Sequence, residues 1–562
     1  MQDIQTLYAL WLDKTAGDPE LHAELESVAD KPDEITDRFY RSLEFGTVGL
    51  RGVIGAGTNR MNLHTVRRAS QGLADYVCER FEKDARRVAV SYDSRILSDA
   101  FARAAAEVFA ANGLKVYLYD RLMPTPCLSY AVRALDCAAG VMVTASHNPA
   151  EYNGYKVYGP DGCQITSEAA AAILEAIEAL DWFDGPRAMP LEDALREGRV
   201  EYVPESVLTG FVEAVKGQSL LGGEAVDKDV AIVYTPLNGT GREPVLRTLS
   251  EMGYTNVSVV REQELPDGRF PTCPKPNPEI REAMALGLEY AQRLNADLLL
   301  ATDPDCDRCG IAVRDAEGGY RLLSGNETGV LLLDYICARR IALNRMPEDP
   351  VMVKTIVTTD MVDRVAAHYG VKTLDVLTGF KYIGETIGRL EAQGHPERYI
   401  FGFEESYGYL SGTYVRDKDA VDAALLICEM FAWHRSRGVS LLERLNALYD
   451  EFGYTLNTQH SYPFEGSAGF EKMRGIMSGL REGIETLGGR RVEQALDYAR
   501  GLDGLPKSDV MKFRLEGGAT AVVRPSGTEP KLKVYISVAA PSRGQAEAAE
   551  ASLAASLAER MA

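Results

Sequence analysis

The chain has 562 residues, too many for one hydrophobic core, and at roughly 100–200 residues per domain it predicts about three to five domains. Hydrophobic residues make up 46% and charged residues 25%, a composition typical of soluble globular proteins. A formal net charge of −21 argues against general binding to nucleic acid or to anionic membranes, which select basic surfaces.

A helix followed by a β-branched strand and a polar loop occurs three times along the chain. The helical stretches place apolar residues at i, i+3 and i+4, and the strands are short continuous apolar runs, as in sheets covered on both faces. The pairs are 65–81 with 86–95, 204–215 with 228–241, and 326–343 with 349–361. This alternation predicts three similar α/β domains with mostly parallel strands.

The chain after about residue 450 has a different pattern. Strands of alternating polarity are accompanied by helices, and the last helix is long and rich in Ala and Glu. This pattern predicts a smaller α+β domain. Stretches at 180–204 and 447–455 are candidate boundaries, and the predicted domains are 1–204, 205–318, 319–450 and 451–562.

Five glycines between residues 44 and 62 leave the backbone unusually free. Arg51 and Arg60 are charged groups within this segment. The spacing is not GxGxxG between a strand and a helix, so the segment is weak evidence for a dinucleotide site.

The stretch "TASHNPAEYNGYKVY" at 144–158 places Ser146 beside His147. A hydrolase nucleophile would need a GxSxG elbow, which is missing, and a histidine one residue away rarely directs its ring at the serine as a triad base does. An ordinary polar turn, shaped by Asn148 and Pro149, is the other interpretation. A serine that carries phosphate fits better than an acyl nucleophile, with Lys156 available as proton carrier or charge partner.

Three carboxylates follow a predicted strand at 296–301: Asp303, Asp305 and Asp307. They repel one another unless a cation lies among them, and hard oxygen ligands suit Mg²⁺ or Ca²⁺. An EF-hand is excluded because its Gly and Glu positions hold Arg308 and Arg314. A solvated acidic turn is the alternative. We expect a metal site with Mg²⁺ preferred, since open coordination positions suit a shared phosphate oxygen.

A predicted strand near residue 400 ends in carboxylate and hydroxyl groups, Glu404 and Ser406, that suit sugar hydroxyls. The alternative is that these polar groups are simply exposed to solvent at the protein surface. Arg416 and Lys418, further along, either meet an anion or pair with Asp417 and Asp419.

The stretch "VVRPSGTEPKLKVY" at 522–535 leads a strand into Arg524, Ser526, Gly527 and Thr528, with Lys531 following. An arginine, hydroxyls and the amides of a Gly-containing turn make a suitable phosphate site. A plain hairpin turn is an equally good interpretation, because Pro-Ser-Gly-Thr is favourable turn chemistry.

The cellular location is expected to be the cytoplasm. The first residues lack the basic and apolar regions of a signal peptide, and no apolar run reaches the ~18 residues of a membrane span. Nine scattered cysteines suit a reducing compartment, and the single CxxC pair, Cys306 and Cys309, does not favour a zinc site. The sequence does not indicate an oligomeric state.

Four of these stretches together resemble the α-D-phosphohexomutase superfamily, which includes phosphoglucomutases and phosphomannomutases. "TASHNP" is similar to its phosphoserine loop, "DPDCDR" to its metal loop, "FEES" to its sugar-specificity loop and "RPSGTEP" to its phosphate-binding loop. They occur in the family's order over almost the whole chain. The resemblance implies four domains around a central cleft: three related mixed or parallel α/β sandwich domains and a smaller C-terminal α+β domain.

The resemblance also implies roles for individual residues. They fall into a reacting centre (Ser146, His147, Lys156, Arg51 and Arg308), a metal site (Ser146, Asp303, Asp305 and Asp307) and a substrate site (Thr378, Gly379, Lys381, Glu404, Ser406, Lys418, Arg524, Ser526, Gly527 and Thr528). The general base is not indicated. The family often has Asn where Gly527 stands, so only a backbone contact is implied there.

The implied substrate is a sugar phosphate. "LTGFKYIG" at 377–384 resembles the Thr-Gly-aromatic-Lys loop of phosphoglucomutases, which favours glucose. The implied reaction interconverts α-D-glucose 1-phosphate and glucose 6-phosphate through a phosphoserine and glucose 1,6-bisphosphate, with Mg²⁺. The segments at 45–62 and 234–241 resemble a subgroup with phosphopentomutases and glucose-1,6-bisphosphate synthases, so those activities and a phosphomannomutase are alternatives. A catalytically silent sensor would need no phosphorylatable serine.

Overall fold

The computed structural model describes residues 3–45, 49–464, 466–502, 504–526 and 531–561. In that part of the chain four β-sheets form, and each is the centre of one domain. None of the described helices is long and apolar enough to cross a membrane. All nine cysteines carry free thiols, so the domains are held together without disulfides.

The first domain is built on a six-stranded mixed sheet. Its strands are β1 (Leu50–Val53), β2 (Arg87–Tyr92), β3 (Lys115–Leu118), β4 (Ala139–Val143), β5 (Tyr152–Tyr158) and β6 (Val200–Tyr202). Its helices are α1 (Ile4–Lys14), α2 (Pro19–Glu26), α3 (Pro32–Phe39), α4 (Leu63–Arg80), α5 (Ser98–Ala111), α6 (Thr125–Ala134), α7 (Ser167–Glu178) and α8 (Leu191–Arg196). The strand order is β1-β5-β4-β2-β3-β6, and β5 is antiparallel to both neighbours while β2, β3, β4 and β6 are parallel.

The second domain carries a five-stranded sheet in the order β11-β10-β9-β7-β8. Its strands are β7 (Ile232–Thr235), β8 (Val257–Val259), β9 (Leu298–Thr302), β10 (Cys309–Arg314) and β11 (Tyr320–Leu323), and its helices are α9 (Glu205–Lys216), α10 (Arg242–Glu251), α11 (Arg261–Glu264) and α12 (Arg281–Leu294). β9 is parallel to β7 and antiparallel to β10. The six residues 303–308 therefore form the turn of the β9–β10 hairpin.

The third domain has a four-stranded sheet in the order β13-β12-β14-β15. Its strands are β12 (Val351–Thr355), β13 (Lys372–Val376), β14 (Tyr399–Glu404) and β15 (Gly408–Leu410), and its helices are α13 (Gly325–Ala342), α14 (Met361–His368), α15 (Phe380–Ala392), α16 (Ala420–Arg435) and α17 (Leu441–Phe452). β15 is antiparallel to β14, whereas β12, β13 and β14 are parallel. α17 ends close to the predicted boundary at 450.

The fourth domain is an antiparallel sheet in the order β16-β21-β20-β19-β18-β17. Its strands are β16 (Tyr454–Pro463), β17 (Thr486–Leu487), β18 (Arg490–Asp497), β19 (Met511–Leu515), β20 (Ala519–Pro525) and β21 (Lys531–Ala540), and its helices are α18 (Gly466–Arg481) and α19 (Arg543–Met561). Both helices pack into one apolar cluster on one face of the sheet. The predicted fold class, three α/β domains and a smaller α+β domain, is confirmed.

The other face of this sheet packs on the third domain. Alternate residues of a strand point to opposite faces, and Val522 of β20 accordingly faces Ile356 and Leu377 while its neighbours face the helices. Lys512 donates a hydrogen bond of 3.0 Å to the Ile356 carbonyl oxygen. The hairpin that follows β20 is therefore held beside the third domain.

The predicted helix–strand pairs are found as α4 with β2, α9 with β7 and α13 with β12. Side-chain caps fix where several helices begin: Asn62, Ser324 and Ser440 each form a capping box. One buried apolar cluster extends through the first three domains, so these domains pack directly against one another.

His434 of α16 predicts how stability changes at acid pH. Its side chain is buried, its Nε2 has no hydrogen-bond partner among the described residues, and burial lowers its pKa from 6.5 to about 4. Between these values the unfolded chain binds a proton that the folded chain does not bind, so stability falls as the pH falls from 6.5 to 4. The shift corresponds to about 3 kcal/mol.

We expect His434→Phe to reduce this acid sensitivity. The measurement is the thermal midpoint at pH 7 and at pH 4 for wild type and variant. Exposed His395 provides the control, and His395→Gln should follow the wild type. An equal loss of midpoint on acidification in wild type and His434→Phe would contradict the prediction.

Candidate active site

The β9–β10 turn brings three carboxylates together. Single oxygens of Asp303, Asp305 and Asp307 lie within 4.8 Å of one another, and all three residues are at most 1% exposed. Asp303 Oδ1 accepts hydrogen bonds of 3.0 Å from the backbone amides of Asp307 and Arg308, which fixes the turn. The three aspartates of the sequence motif therefore form one cluster.

Two lysines from other domains partly neutralise the aspartates. Lys156 Nζ of β5 lies 2.8 Å from Asp305 Oδ2 and 3.6 Å from Asp307 Oδ2, and Lys418 Nζ lies 3.1 Å from Asp307 Oδ2. Burial alone would raise the pKa of Asp305, but Lys156 and Lys418 lower it below its ordinary value. Burial and the two neighbouring carboxylates raise the pKa of Asp303 well above its ordinary value.

The cluster keeps oxygens that the protein does not use. Asp305 Oδ1 and Asp307 Oδ1 are buried, and neither accepts a hydrogen bond from the described residues. Leaving a buried carboxylate oxygen without a partner is costly. Oxygens of this kind are the ligands that Mg²⁺ or Ca²⁺ takes, so the donor set fits a divalent cation.

The helix α6 of the first domain supports the metal turn. Thr125, its first residue, donates its hydroxyl to Asp305 Oδ2 at 3.0 Å and its backbone amide to the Asp305 carbonyl oxygen at 2.9 Å. Since a helix N-terminus carries partial positive charge, this position favours the aspartates.

Ser146 lies directly against this cluster. Its Oγ donates to Asp303 Oδ2 at 2.9 Å, and the residue is 3% exposed. Its φ of 51° places it in the left-handed region, which is strained for a residue with a side chain. The structure therefore brings the serine and the aspartates together.

The expectation that His147 would not direct its ring at Ser146 is wrong. His147 Nδ1 lies 3.2 Å from Ser146 Oγ. We attribute this to the left-handed backbone at Ser146, which turns the chain so that two neighbouring side chains converge. Burial, Arg308 and Arg51 lower the pKa of His147 well below its ordinary value, so its ring is neutral at pH 7. No carboxylate orients this ring in the described part of the chain, as a triad would require.

Arg95 holds the serine loop, and the sequence interpretation missed it. This buried guanidinium donates to four backbone carbonyl oxygens: those of Ser146 (3.2 Å from Nε), Pro149 (2.8 Å), Tyr152 (3.0 Å) and Asn148. The loop is therefore fixed through its main chain.

Asp93, which directly follows β2, also supports the loop that carries Ser146. Its Oδ1 accepts from the Arg95 amide at 2.9 Å, and its Oδ2 accepts from the Thr144 hydroxyl at 2.6 Å. Thr144 in turn accepts from the Ser146 amide at 2.8 Å. β2 and β4 are parallel neighbours, so their carboxyl ends meet at one edge, and this rule was the signal that could have indicated Asp93.

Two predicted arginines flank the serine. Arg51 of β1 donates from Nη1 to Asn148 Oδ1 at 3.4 Å. Arg308 forms an ion pair with Glu279, and its Nε lies 3.8 Å from Asp307 Oδ1. Glu279 was not anticipated from the sequence.

The sugar-loop residues come from two segments of the third domain. Glu404 ends β14 and accepts from the Gly379 amide at 2.9 Å, where Gly379 has a φ of 123° that favours glycine. Burial raises the pKa of Glu404, with Lys418 and Arg308 opposing it. Ser406 is half-buried beyond the strand end. The two segments therefore meet beside the aspartates.

Thr378 and Lys381 are less closely tied to this centre. Thr378 Oγ1 is buried without a hydrogen-bond partner among the described residues. Lys381 Nζ lies 4.9 Å from the centroid of the Tyr382 ring, and burial lowers its pKa. In the described part of the chain, no hydrogen bond or ion pair joins Lys381 to the aspartates or to Glu404.

Lys418 forms two ion pairs. It pairs with Asp417, since its Nζ lies 3.4 Å from Asp417 Oδ1, and it also reaches the aspartate cluster.

The fourth domain contributes the hairpin whose two strands, β20 and β21, are antiparallel neighbours. Arg524 Nη2 lies 3.5 Å from Tyr535 Oη, and its Nε is buried without a hydrogen-bond partner among the described residues. The Ser526 amide donates to the Lys531 carbonyl oxygen at 2.8 Å. Gly527 and Thr528 lie outside the described residues.

Positive charge is crowded at this hairpin. Burial, Arg524 and Lys531 lower the pKa of Lys533, while Glu279 and Glu405 oppose them. Burial and Glu404 raise the pKa of Glu405 to about 7, while Arg524 opposes them, so the hairpin lies close to the sugar loop.

Comparisons with known proteins agree with this arrangement. Models of the phosphoglucomutase/phosphomannomutase family match its α/β/α domain I at residues 42–183, domain II at 209–318, domain III at 324–452 and its C-terminal domain at 484–562. A phosphoglucomutase of Staphylococcus saprophyticus is 36% identical over 512 residues, which is 88% of this chain and 90% of the relative. One of Staphylococcus aureus is 35% identical over 524 residues, 91% of this chain and 92% of the relative.

A solved structure shares the fold. The open form of parafusin, a phosphoglucomutase of Paramecium, has a TM-score of 0.69 at 19% identity and matches 93% of this chain and 94% of its own. Four family models matched in order, together with relatives of 35–36% identity over most of the chain, show that this chain is a member of the phosphoglucomutase/phosphomannomutase family.

Proposed function

We propose that this chain is a phosphoglucomutase that interconverts α-D-glucose 1-phosphate and glucose 6-phosphate. The observation that carries the proposal is the buried Ser146 hydroxyl, 2.9 Å from an aspartate of a buried three-aspartate cluster. A serine in this position suits a group that receives and returns a phosphoryl group.

In the forward direction, the bond between phosphorus and Ser146 Oγ breaks and a bond to the free sugar hydroxyl forms, with loss of the hydroxyl proton. The product is glucose 1,6-bisphosphate. After this intermediate reorients, its other phosphoryl group returns to Ser146, and the sugar oxygen that it leaves takes up a proton. Ser146 Oγ takes up the proton that the sugar hydroxyl loses and gives it back in the second transfer, and the neutral His147 ring, with Nδ1 3.2 Å from this oxygen, is placed to hydrogen-bond it.

Asp303, Asp305 and Asp307, with a phosphoserine oxygen, would hold Mg²⁺. When bound, the ion supplies charge stabilisation for phosphoryl transfer. Lys156, Arg51 and Arg308 supply fixed positive charge around Ser146.

The opposite end of the substrate would rest on the fourth domain. Arg524 and Ser526, with Gly527 and Thr528 as the resemblance implies, would hold the phosphate that does not react, which the crowded cations of this hairpin support. Glu404, Ser406, Thr378, Gly379, Lys381 and Lys418 would bind the sugar. Two phosphate sites are needed because either end of the bisphosphate must be able to face Ser146.

We also propose domain limits at 204, 318 and 450, supported by the division of the sheets. A cytoplasmic location stays a prediction, supported by nine free thiols.

The test is to incubate pure protein with Mg²⁺, glucose 1-phosphate and a trace of glucose 1,6-bisphosphate. We expect glucose 6-phosphate to accumulate to equilibrium. Parallel reactions with mannose, ribose and glucosamine phosphates should be slower. Faster conversion of one of these would reassign the substrate, and net formation of the bisphosphate from an added phosphoryl donor without mutase turnover would indicate a synthase.

A further inference from the structure

Asp417 is a buried carboxylate at the junction of the first and third domains. It lies between β15 and α16 and is 1% exposed. Its Oδ2 accepts from the Tyr158 hydroxyl at 2.8 Å and from Gln164 Nε2 at 2.9 Å, both from the first domain. Its Oδ1 accepts from the Lys418 amide at 2.9 Å. Three neutral donors thus fix the carboxylate before any ligand binds.

The same carboxylate faces the ammonium of Lys418. Asp417 Oδ1 lies 3.4 Å from Lys418 Nζ, and Asp307 Oδ2 lies 3.1 Å from it on the metal turn. The aliphatic part of the Lys418 side chain packs closely on Gly408, because a Cβ added at this glycine would lie 2.0 Å from Lys418 Cδ. The side chain therefore has little room to move. The ammonium is therefore confined between two carboxylates from different domains.

We infer that Asp417 is a positioning residue that shares Lys418 with Asp307 and so sets how much positive charge reaches the metal turn. The inference rests on the proposed function. Without the charge of Asp417, Asp307 would be the one of these two carboxylates that still pairs with the Lys418 ammonium. Lys418 would then compete more strongly with a cation for Asp307 Oδ2.

The arrangement also connects the two lysines of the site. Tyr158 is the last residue of β5, the strand that carries Lys156. One first-domain strand therefore places Lys156 directly and Lys418 through Asp417.

The experiment is a double-mutant cycle with Asp417→Asn, Lys418→Ala and the double variant. The first readout is Mg²⁺ affinity by titration calorimetry, and the second is kcat and KM. We expect Asp417→Asn to weaken Mg²⁺ binding and lower kcat by about tenfold or more, as for other residues that support metal ligands. In the Lys418→Ala background the same change should have little effect on Mg²⁺ affinity, because Asp417 acts through Lys418.

Two further variants separate positioning from folding. Tyr158→Phe removes one donor and leaves the charge, so we expect a smaller change in the same direction. Asp422→Asn removes a different buried carboxylate, which accepts from the Ser411 amide and hydroxyl at 2.8 Å, and should leave Mg²⁺ affinity unchanged. Thermal midpoints confirm that each variant is folded.

Equal effects of Asp417→Asn with and without Lys418 would overturn the inference, as would unchanged Mg²⁺ affinity in folded Asp417→Asn. If the wild type converts no glucose 1-phosphate but the cycle shows coupling in Mg²⁺ affinity, the proposed function fails and the positioning role of Asp417 stands.

Discussion

Ser146→Ala is expected to reduce phosphoglucomutase turnover by at least about three orders of magnitude. The hydroxyl is the group that forms and breaks the bond to phosphorus, and residues with that role have very large effects when removed. The loop should keep its shape, because Arg95 holds it through backbone carbonyl oxygens that the substitution leaves in place. The measurement is a coupled assay for glucose 6-phosphate, with mass spectrometry of the protein after incubation with the bisphosphate.

Ser94→Ala is the matched control for this substitution. Ser94 is a nearby serine whose buried Oγ has no hydrogen-bond partner among the described residues. We expect it to keep wild-type turnover and to gain a phosphoryl group on Ser146. Full activity in Ser146→Ala, or a phosphoryl group found on another residue, would show that the proposed chemistry is wrong.

Asp305→Asn is expected to lower Mg²⁺ affinity and turnover each by about a hundredfold or more. The change keeps the size of the side chain and removes the negative charge that faces Lys156. Asp305 Oδ1, which has no hydrogen-bond partner among the described residues, either becomes an amide nitrogen or remains as an uncharged oxygen. The measurements are Mg²⁺ titration by calorimetry and activity as a function of Mg²⁺ concentration. Chelation should abolish wild-type activity, and added Mg²⁺ should restore it.

Asp297→Asn tests whether loss of any carboxylate near this strand has the same effect. Asp297 precedes β9 at the end opposite the metal turn and pairs with Arg435 at 2.7 Å. We expect wild-type Mg²⁺ affinity and turnover from it. Unchanged Mg²⁺ affinity in Asp305→Asn would show that the cation does not bind at this cluster.

The parts of the fold that local sequence predicts are those that depend on periodicity. The strand predicted at 296–301 is observed at Leu298–Thr302, and its polar loop carries the three aspartates together. Continuous apolar runs and helical spacing are properties of neighbouring residues, so a single sequence contains them. The motif residues follow strand ends, where side chains of different strands meet.

The parts that the sequence could not predict depend on contacts between distant segments. Arg95 donates to backbone carbonyl oxygens, which every residue has. The sequence therefore contains no particular residue type that would indicate its partners. The role of Asp417 depends on Tyr158 and Gln164, more than 250 residues earlier in the chain. The ring of His147 lies beside the Ser146 hydroxyl where Ser146 has a left-handed backbone, a conformation that a serine in the sequence does not indicate.

The hydrogen bonds from Arg95 to the Ser146 loop constrain how the sequence of this loop can change during evolution. Its acceptors at Asn148, Pro149 and Tyr152 are main-chain atoms, so substitutions at those positions leave the bonds available. A lysine in place of Arg95 could not replace it, because three donors on one nitrogen cannot reach carbonyl oxygens spread along the loop as a planar guanidinium does. The bonds to Arg95 should therefore tolerate changes of side chain at the positions that accept them and exclude change at Arg95, while Asn148 is also constrained by its side-chain contact with Arg51.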